Sequence, residues 1–169
     1  GTKTGPMSTR GTQQTTKKYE SLAQKRQSPY YKTFRQELDK FIESRPEYSD
    51  IKEHLDYLAS LESTYKQNAS NAAGSGALGW FQFTDGTRKQ YSNKSRVDFA
   101  SDAQEQLLAA AKYYRNLQNS LKLWGGDPND FASMYGMWWR PQSQKDFLND
   151  PNYDYVTQWG ESFRDVRQK

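Results

Sequence analysis

The sequence contains no cysteine and a single histidine, His54. Without cysteine there is no disulfide framework, no thiolate nucleophile and no Cys-ligated zinc. A lone imidazole argues against a His-based metal centre or a Ser-His-Asp triad. Acid–base chemistry is left to carboxylates, with Tyr and Lys behind them, and neither a metal nor an organic cofactor is expected. No run approaches the roughly 18 apolar residues of a membrane helix. The start GTKTGPMSTRGTQQTTKK lacks the apolar middle of a signal peptide, so neither a membrane span nor a cleavable export signal is expected.

Aliphatic side chains are also scarce. Leu, Ile, Val and Phe make up 25 of 169 residues, about 15%, a level at which disorder is suspected. Rings compensate: the chain has eight Phe, five Trp and twelve Tyr, and each can bury roughly 150–250 Å². A chain of this length typically buries about 70% of its unfolded surface, so one compact domain is expected. All five Trp follow residue 60. Lys and Arg outnumber Asp and Glu 24 to 20, and residues 1–36 carry a single acid, Glu20. That surplus is compatible with a weakly anionic partner such as a cell-wall polymer or nucleic acid; mixed charge on solvated helix faces is the plainer explanation.

Residues 1–14 read as a flexible lead-in and residues 15–27 as a polar helix, together an arm over residues 1–28 ahead of a domain over 29–169. Ser28-Pro29 ends that arm and opens a helix to about Ser44, with Tyr30, Phe34, Leu38 and Phe41 or Ile42 on one stripe. Arg45-Pro46 stops it. The next helix is expected to start at Ser49 or Asp50, with Glu53 at capping-box spacing from Asp50. Its apolar positions are Ile51, Leu55, Leu58, Leu61 and Tyr65. Glu62 follows Ile51, Leu55 and Leu58 at steps of four, three and four, which puts a carboxylate on the face that should be buried.

Residues 69–87 are rich in glycine and small side chains and read as a loop, with a short strand at 79–84 around Trp80-Phe81-Gln82-Phe83. A long helix follows a Ser101/Asp102 cap and runs to Gly125, with Leu107, Ala110, Ala111, Tyr114, Leu117 and Leu121 spaced for burial. Asp127-Pro128 is expected to open a further helix through Phe131 and Met134 to about Trp138, and the tail from Pro141 to hold one or two short helices. No repeat of fixed period is visible.

Burial and the negative end of the helix dipole both disfavour a charged Glu62, and a general acid working near neutral pH requires that. The competing reading is an ordinary ion pair with Lys or Arg, or a frayed helix end in water.

The residues after Glu62 decide between these. The order Glu62-Ser63, Tyr65, Gly76-Ala77, Gly79, Gln82 and Thr87 closely resembles the signature of the soluble lytic transglycosylase (SLT) family, within the lysozyme-like superfamily. The resemblance implies a mainly α, lysozyme-like fold of about 125 residues from Tyr30 onward, with at most a very small β element. It implies peptidoglycan as substrate and the β-1,4 bond between N-acetylmuramic acid and N-acetylglucosamine as the target. It places the acid, and then the base, on Glu62, at the floor of a cleft bounded by the 71–87 loop. Ser63 and Gln82 are expected in the surrounding cleft, where Gln82 offers a donor and an acceptor to an acetamido group or hydroxyl. Gly76, Ala77 and Gly79 let backbone approach a sugar closely. Tyr65 and Trp80 offer flat faces to sugar C–H groups, although core packing also accounts for two of the three rings Trp80, Phe81 and Phe83. Tyr113 and Tyr135 are further cleft-lining candidates.

Departures from the family pattern are a slightly longer Glu62-to-Gln82 gap, Ala73 where Ser is common, Asp85 for a frequent proline, and Gly136 after Tyr135 where Asn is common. A hydrolase normally needs a second carboxylate, and no acid follows Glu62 until Asp85. A single Glu fits the transglycosylase route, in which the acetamido group assists departure and the 6-hydroxyl closes a 1,6-anhydro ring. Asp85, Asp98 and Asp102 are the candidates for a second carboxylate in a lysozyme-type muramidase. A non-catalytic wall-binding module is the reading from another class, and nucleic-acid binding ranks last. Action at the bacterial wall is expected, and the basic lead-in suits a domain cut from a larger protein such as a phage virion or secretion component.

Overall fold

The computed structural model describes residues 21–71 and 74–150. The expected lead-in, the first part of the polar helix, Ala73 and the tail beyond residue 150 lie outside the described residues. The described residues divide into two compact units, residues 21–113 and residues 114–150. Both are helical where described, and among the described residues no helix is long and apolar enough to cross a membrane.

The first unit opens with α1, Leu22–Lys25, a single turn closed by a capping box. Gln24 N donates to Ser21 Oγ at 3.1 Å and Ser21 N to Gln24 Oε1 at 2.7 Å. Ser28 then caps α2, Pro29–Ser44, with the proline in its first turn as expected. A 3-10 segment, Pro46–Ile51, leads straight into α3, Lys52–Ser63. The expected start at Ser49 or Asp50 is therefore corrected. Pro46 winds the chain into the tighter turn, the residue before α3 is Ile51 with no side-chain cap, and Glu53 faces Arg35 instead of closing a box.

The expected strand at 79–84 is also absent. Only isolated bridges, Ser70 with Leu78 and Leu78 with Phe83, occur there. Gly79 at φ 87° and Gln82 at φ 54° are left-handed, which extended backbone does not allow. Two short helices not expected from the sequence follow: α4, Asp85–Tyr91, capped by Thr84, and α5, Arg96–Ala100, capped by Ser95. The long α6, Ala103–Leu123, begins as expected, with Glu105 N donating to Asp102 Oδ1 at 3.0 Å.

Rings fill the first unit where aliphatic residues are few. Phe34 of α2 is fully buried, with ring centroids 5.3 Å from Tyr65, 5.0 Å edge-on from Trp80 and 6.2 Å from Phe81. Each such pair contributes about 0.5–1.5 kcal/mol beyond area burial. Leu38, Phe41, Ile51, Leu55, Leu58, Phe99 and Leu107 complete this core, whereas Tyr30, expected on the same stripe, is 49% exposed.

In the second unit α6 buries Tyr114, Leu117 and Leu121. It ends at Gly125, φ 87°, with Gly126 N donating to Leu121 O at 2.9 Å. The expected helix start at Asp127-Pro128 is a turn instead. Asn129 N donates to Asp127 Oδ1 and Gln118 Nε2 to Pro128 O, both at 2.9 Å, so those groups are engaged before α7, Phe131–Trp139, begins at Asp130. A last helix, α8, Pro141–Asn149, follows.

One buried charge organises the first unit. Asp56 of α3 has no exposed surface, and both its oxygens are bound: Arg26 reaches Oδ1 and Arg35 reaches Oδ2, each at 2.8 Å, while the Tyr65 hydroxyl donates to Oδ1 at 2.7 Å. Arg35 also grips Glu53 with two hydrogen bonds, 3.0 and 2.8 Å. Burial pushes the Asp56 carboxyl up, but the bonds from Arg26, Tyr65 and Arg35 outweigh it and hold the carboxyl below its ordinary value. A carboxyl whose pKa is lower folded than unfolded contributes stability above the unfolded value, near 3.9, and loses it as pH falls through the folded one. The urea midpoint should therefore drop as pH falls below about 4. Asp56→Asn should cost about 2–3 kcal/mol at pH 7, because it removes the buried charge partner of two guanidinium groups, one of them half-buried, and should flatten that acid dependence. An unchanged midpoint at pH 7 would show the network to be idle.

Candidate active site

Glu62 lies in the last turn of α3, one residue before its end, and is half-buried. The face of the helix that is fully covered carries Leu55, Asp56, Leu58, Ala59, Ser60 and Ser63, so the carboxylate stands at the rim of the core rather than within it. The backbone then turns sharply. Thr64 at φ 54° and Tyr65 at φ 65° are consecutive left-handed residues, and neither is glycine. Each such position costs on the order of 1 kcal/mol or more and persists only where surrounding contacts fix it.

Those contacts centre on Tyr65. Its amide donates to Ala59 O at 3.3 Å, its hydroxyl bonds Asp56, and its carbonyl accepts from Trp80 Nε1 at 3.0 Å. Burial and the bond to Asp56 both push its hydroxyl pKa up, so the phenol stays protonated as a donor. Tyr65 is 1% exposed and Trp80 fully buried. These rings, expected as sugar platforms, expose almost none of their surface, and both bind the Glu62 turn to the glycine loop. Phe81 and Phe83 are core residues as well.

The glycine loop is itself held by a buried amide that the sequence did not single out. Gln106 of α6 accepts from Trp80 N at 2.9 Å and donates to the carbonyls of Gln67 at 3.2 Å, Phe99 at 3.1 Å and Ala100 at 3.0 Å. A Cβ on Gly79 would stand 2.5 Å from Gln106 Oε1, so backbone and amide meet with no room for a side chain. Gln82 Nε2 donates to Gly79 O at 3.0 Å and Ala69 O at 3.2 Å, and its carbonyl oxygen has no hydrogen bond among the described residues. Gly76, φ 78°, presents its carbonyl to Arg96 at 2.6 Å, and Arg96 also reaches Ser70 and Asp85.

Of the other expected site residues, Ser63 is 8% exposed and donates to Ala59 O at 3.1 Å, and Ala77 is buried. Tyr113 is half-buried, its ring 6.1 Å from Phe83 and 5.4 Å from Tyr91, and burial pushes its hydroxyl pKa up. Tyr135 belongs to the second unit, buried in α7 with its ring 6.5 Å from Phe131. A groove of about 450 Å³ opens beside the Tyr65 turn, lined by Tyr30, Thr33, Tyr65, Gln67, Trp80 and Val97 among others; neither Glu62 nor Gln82 lines it.

The candidate second carboxylates are engaged elsewhere. Against a desolvation cost, Arg88 at 3.4 Å and Arg96 at 3.1 Å hold the Asp85 carboxyl below its ordinary value. The Glu105 amide, and then Lys94 at 3.1 Å, do the same for Asp102. Asp98 is exposed in the first turn of α5.

Because Gly79 combines a left-handed backbone with a tethered amide against it, Gly79→Ala should lower stability by about 2–3 kcal/mol in urea unfolding. A midpoint equal to wild type would show that Gln106 yields freely.

A family model described as the transglycosylase SLT domain matches residues 39–135. Searches of curated proteins and of solved structures give no match. The matched span runs from the end of α2 through Glu62, the glycine loop and α6 to Tyr135, more than half of the chain, and the chain therefore belongs to the transglycosylase SLT domain family, whose activity is directed at peptidoglycan.

Proposed function

We propose that the protein is a lytic transglycosylase that cleaves the β-1,4 bond between N-acetylmuramic acid and N-acetylglucosamine with Glu62 as its single acid and base. The observation that carries this reading is the placement of Glu62. It is a half-buried carboxylate at a helix end, followed by a turn of two left-handed residues in which Tyr65 is bonded to Asp56 and to Trp80 of the glycine loop. Rigid support of this kind is what a proton donor needs if it is to meet one oxygen of a bound substrate.

In the proposed reaction the Glu62 carboxyl gives its proton to the glycosidic oxygen as the C1–O bond breaks. The substrate's acetamido oxygen takes up the electron deficiency at C1. The carboxylate left behind removes the proton from the 6-hydroxyl, whose oxygen then bonds to C1 and closes the 1,6-anhydro ring. No water enters, and the acid is regenerated. The carbonyl oxygen of Gln82, without a hydrogen bond among the described residues, is offered to an amide or hydroxyl of the sugar, and at Gly76, where a Cβ would meet only Arg96 at 3.9 Å, the backbone allows close approach. Ser63, Ala77 and Tyr113 are proposed as further substrate-binding residues on the family resemblance, and Tyr135 on its position in the sequence alone. The engagement of Asp85 and Asp102 in ion pairs favours this route over a two-carboxylate muramidase. The biological setting proposed is a wall-opening domain, carried by a virion or a secretion assembly.

Glu62→Gln should reduce release of muropeptides from purified peptidoglycan by about a thousandfold or more while leaving the thermal midpoint unchanged. Full activity in that variant would remove Glu62 from the chemistry. No release by the wild-type protein would favour a wall-binding module.

A further inference from the structure

The family match begins at residue 39, yet the helix that carries Glu62 is held from before that point. After α3 the left-handed turn sends backbone amides past one carbonyl. The Thr64 cap amide and the Tyr65 amide both reach back to Ala59 O, which also accepts from the Ser63 hydroxyl. Ser60 O, which an ordinary helix would pair with the amide four residues on, is passed over. Lys25 Nζ donates to it at 2.9 Å. The next residue, Arg26, bonds Asp56 at 2.8 Å and the Tyr65 hydroxyl at 3.4 Å, and lies over the Tyr31 ring at 5.5 Å. Two consecutive side chains of one short turn thus engage α3 on either side of its last turn: Ser60, two residues before Glu62, and Tyr65, three residues after it. The capping box on α1 fixes the turn from which both extend.

From this we infer that residues 21–26 form a strap in which Lys25 and Arg26 are positioning residues for Glu62, setting the direction of the helix end and so of its carboxylate. The inference rests on the proposed role of Glu62. A cation at the C-terminal end of a helix is favourable in its own right, but a bond to a carbonyl that the turn has left unpaired does more, since it makes the left-handed path self-consistent. Without it Ser60 O must find water or α3 must extend, and either outcome moves Glu62.

The test uses the full chain and two readouts. On soluble glycan strands, Lys25→Met should lower kcat about tenfold with KM within about twofold, and Lys25→Arg should restore kcat to within about twofold of wild type. Arg26→Gln should act in the same direction, which covers a methionine variant that does not fold. Amide hydrogen exchange, read by mass spectrometry without substrate, should rise in Lys25→Met for peptides covering residues 60–66 and stay at wild-type values in α6. Wild-type kcat in Lys25→Met, failure of Lys25→Arg to rescue, or unchanged exchange over 60–66 would each overturn the strap. So would exchange that rises throughout the domain with kcat and KM moving together, which would make Lys25 a general fold contact. Wild-type protein without turnover would instead contradict the role of Glu62, and the exchange measurement would still decide the strap.

Discussion

The first unit depends on the burial of one ionised carboxylate. Asp56 sits on α3 with no surface exposed, and it is tolerable there only because Arg26, Arg35 and the Tyr65 hydroxyl bond its oxygens. Those three partners come from three places in the chain: α1, α2 and the turn after α3. Satisfying one charge therefore fixes the relation of all three. A hydrophobic residue of similar volume could pack as well but could not dictate which way the chain leaves the helix. The phenol of Tyr65, held by Asp56, dictates it.

From that point the consequences run outward. Tyr65 in a left-handed conformation turns its carbonyl to Trp80, Trp80 turns its amide to Gln106, and Gln106 bonds the carbonyls of Gln67 and of Phe99 and Ala100 at the end of α5. A continuous set of hydrogen bonds thus links the Glu62 helix to the glycine loop and the long helix. The rings that make the composition unusual serve this network as much as the core, since Tyr65 and Trp80 each combine a buried face with a committed polar atom. Strain is stored where the network can hold it: among the described residues the non-glycine positions with positive φ are Thr64, Tyr65 and Gln82.

Much of this was legible from residue order. Glu62 stood out because a carboxylate interrupted an apolar stripe, and Gly79 because it lies in the glycine-rich stretch that follows Glu62. The long helix, with its Asp102 cap and Gly125 stop, could be read from spacing, and the buried positions Leu107, Ala110, Ala111, Tyr114, Leu117 and Leu121 came with it. What could not be read were partners distant in sequence. Asp56 also interrupts α3, and a signal was present: Ala59, Ser60 and Ser63 follow it at helical steps, small residues on a face too close-packed for a solvated charge. Its partners lay apart, Arg26 in a segment that read as a polar arm and Arg35 on the helix that follows it. Nothing in the sequence sets Gln106 apart from its polar neighbours Gln104 and Glu105. The Trp80-Phe81-Gln82-Phe83 run has strand propensity, but the amide of Gln82 folds back onto Gly79 and Ala69, and local preference gave way to that closure. Asp127-Pro128 has the form of a helix start, yet Asn129 and Gln118 take up its groups first.

The central claim is that one carboxyl, held at the end of α3, performs both proton transfers and that no water molecule enters the product. Digesting peptidoglycan in water enriched in oxygen-18 and weighing the released muropeptides tests it directly. Anhydro ends that carry none of the label are expected. Label incorporated at the reducing end, in a product heavier by one water, would contradict it.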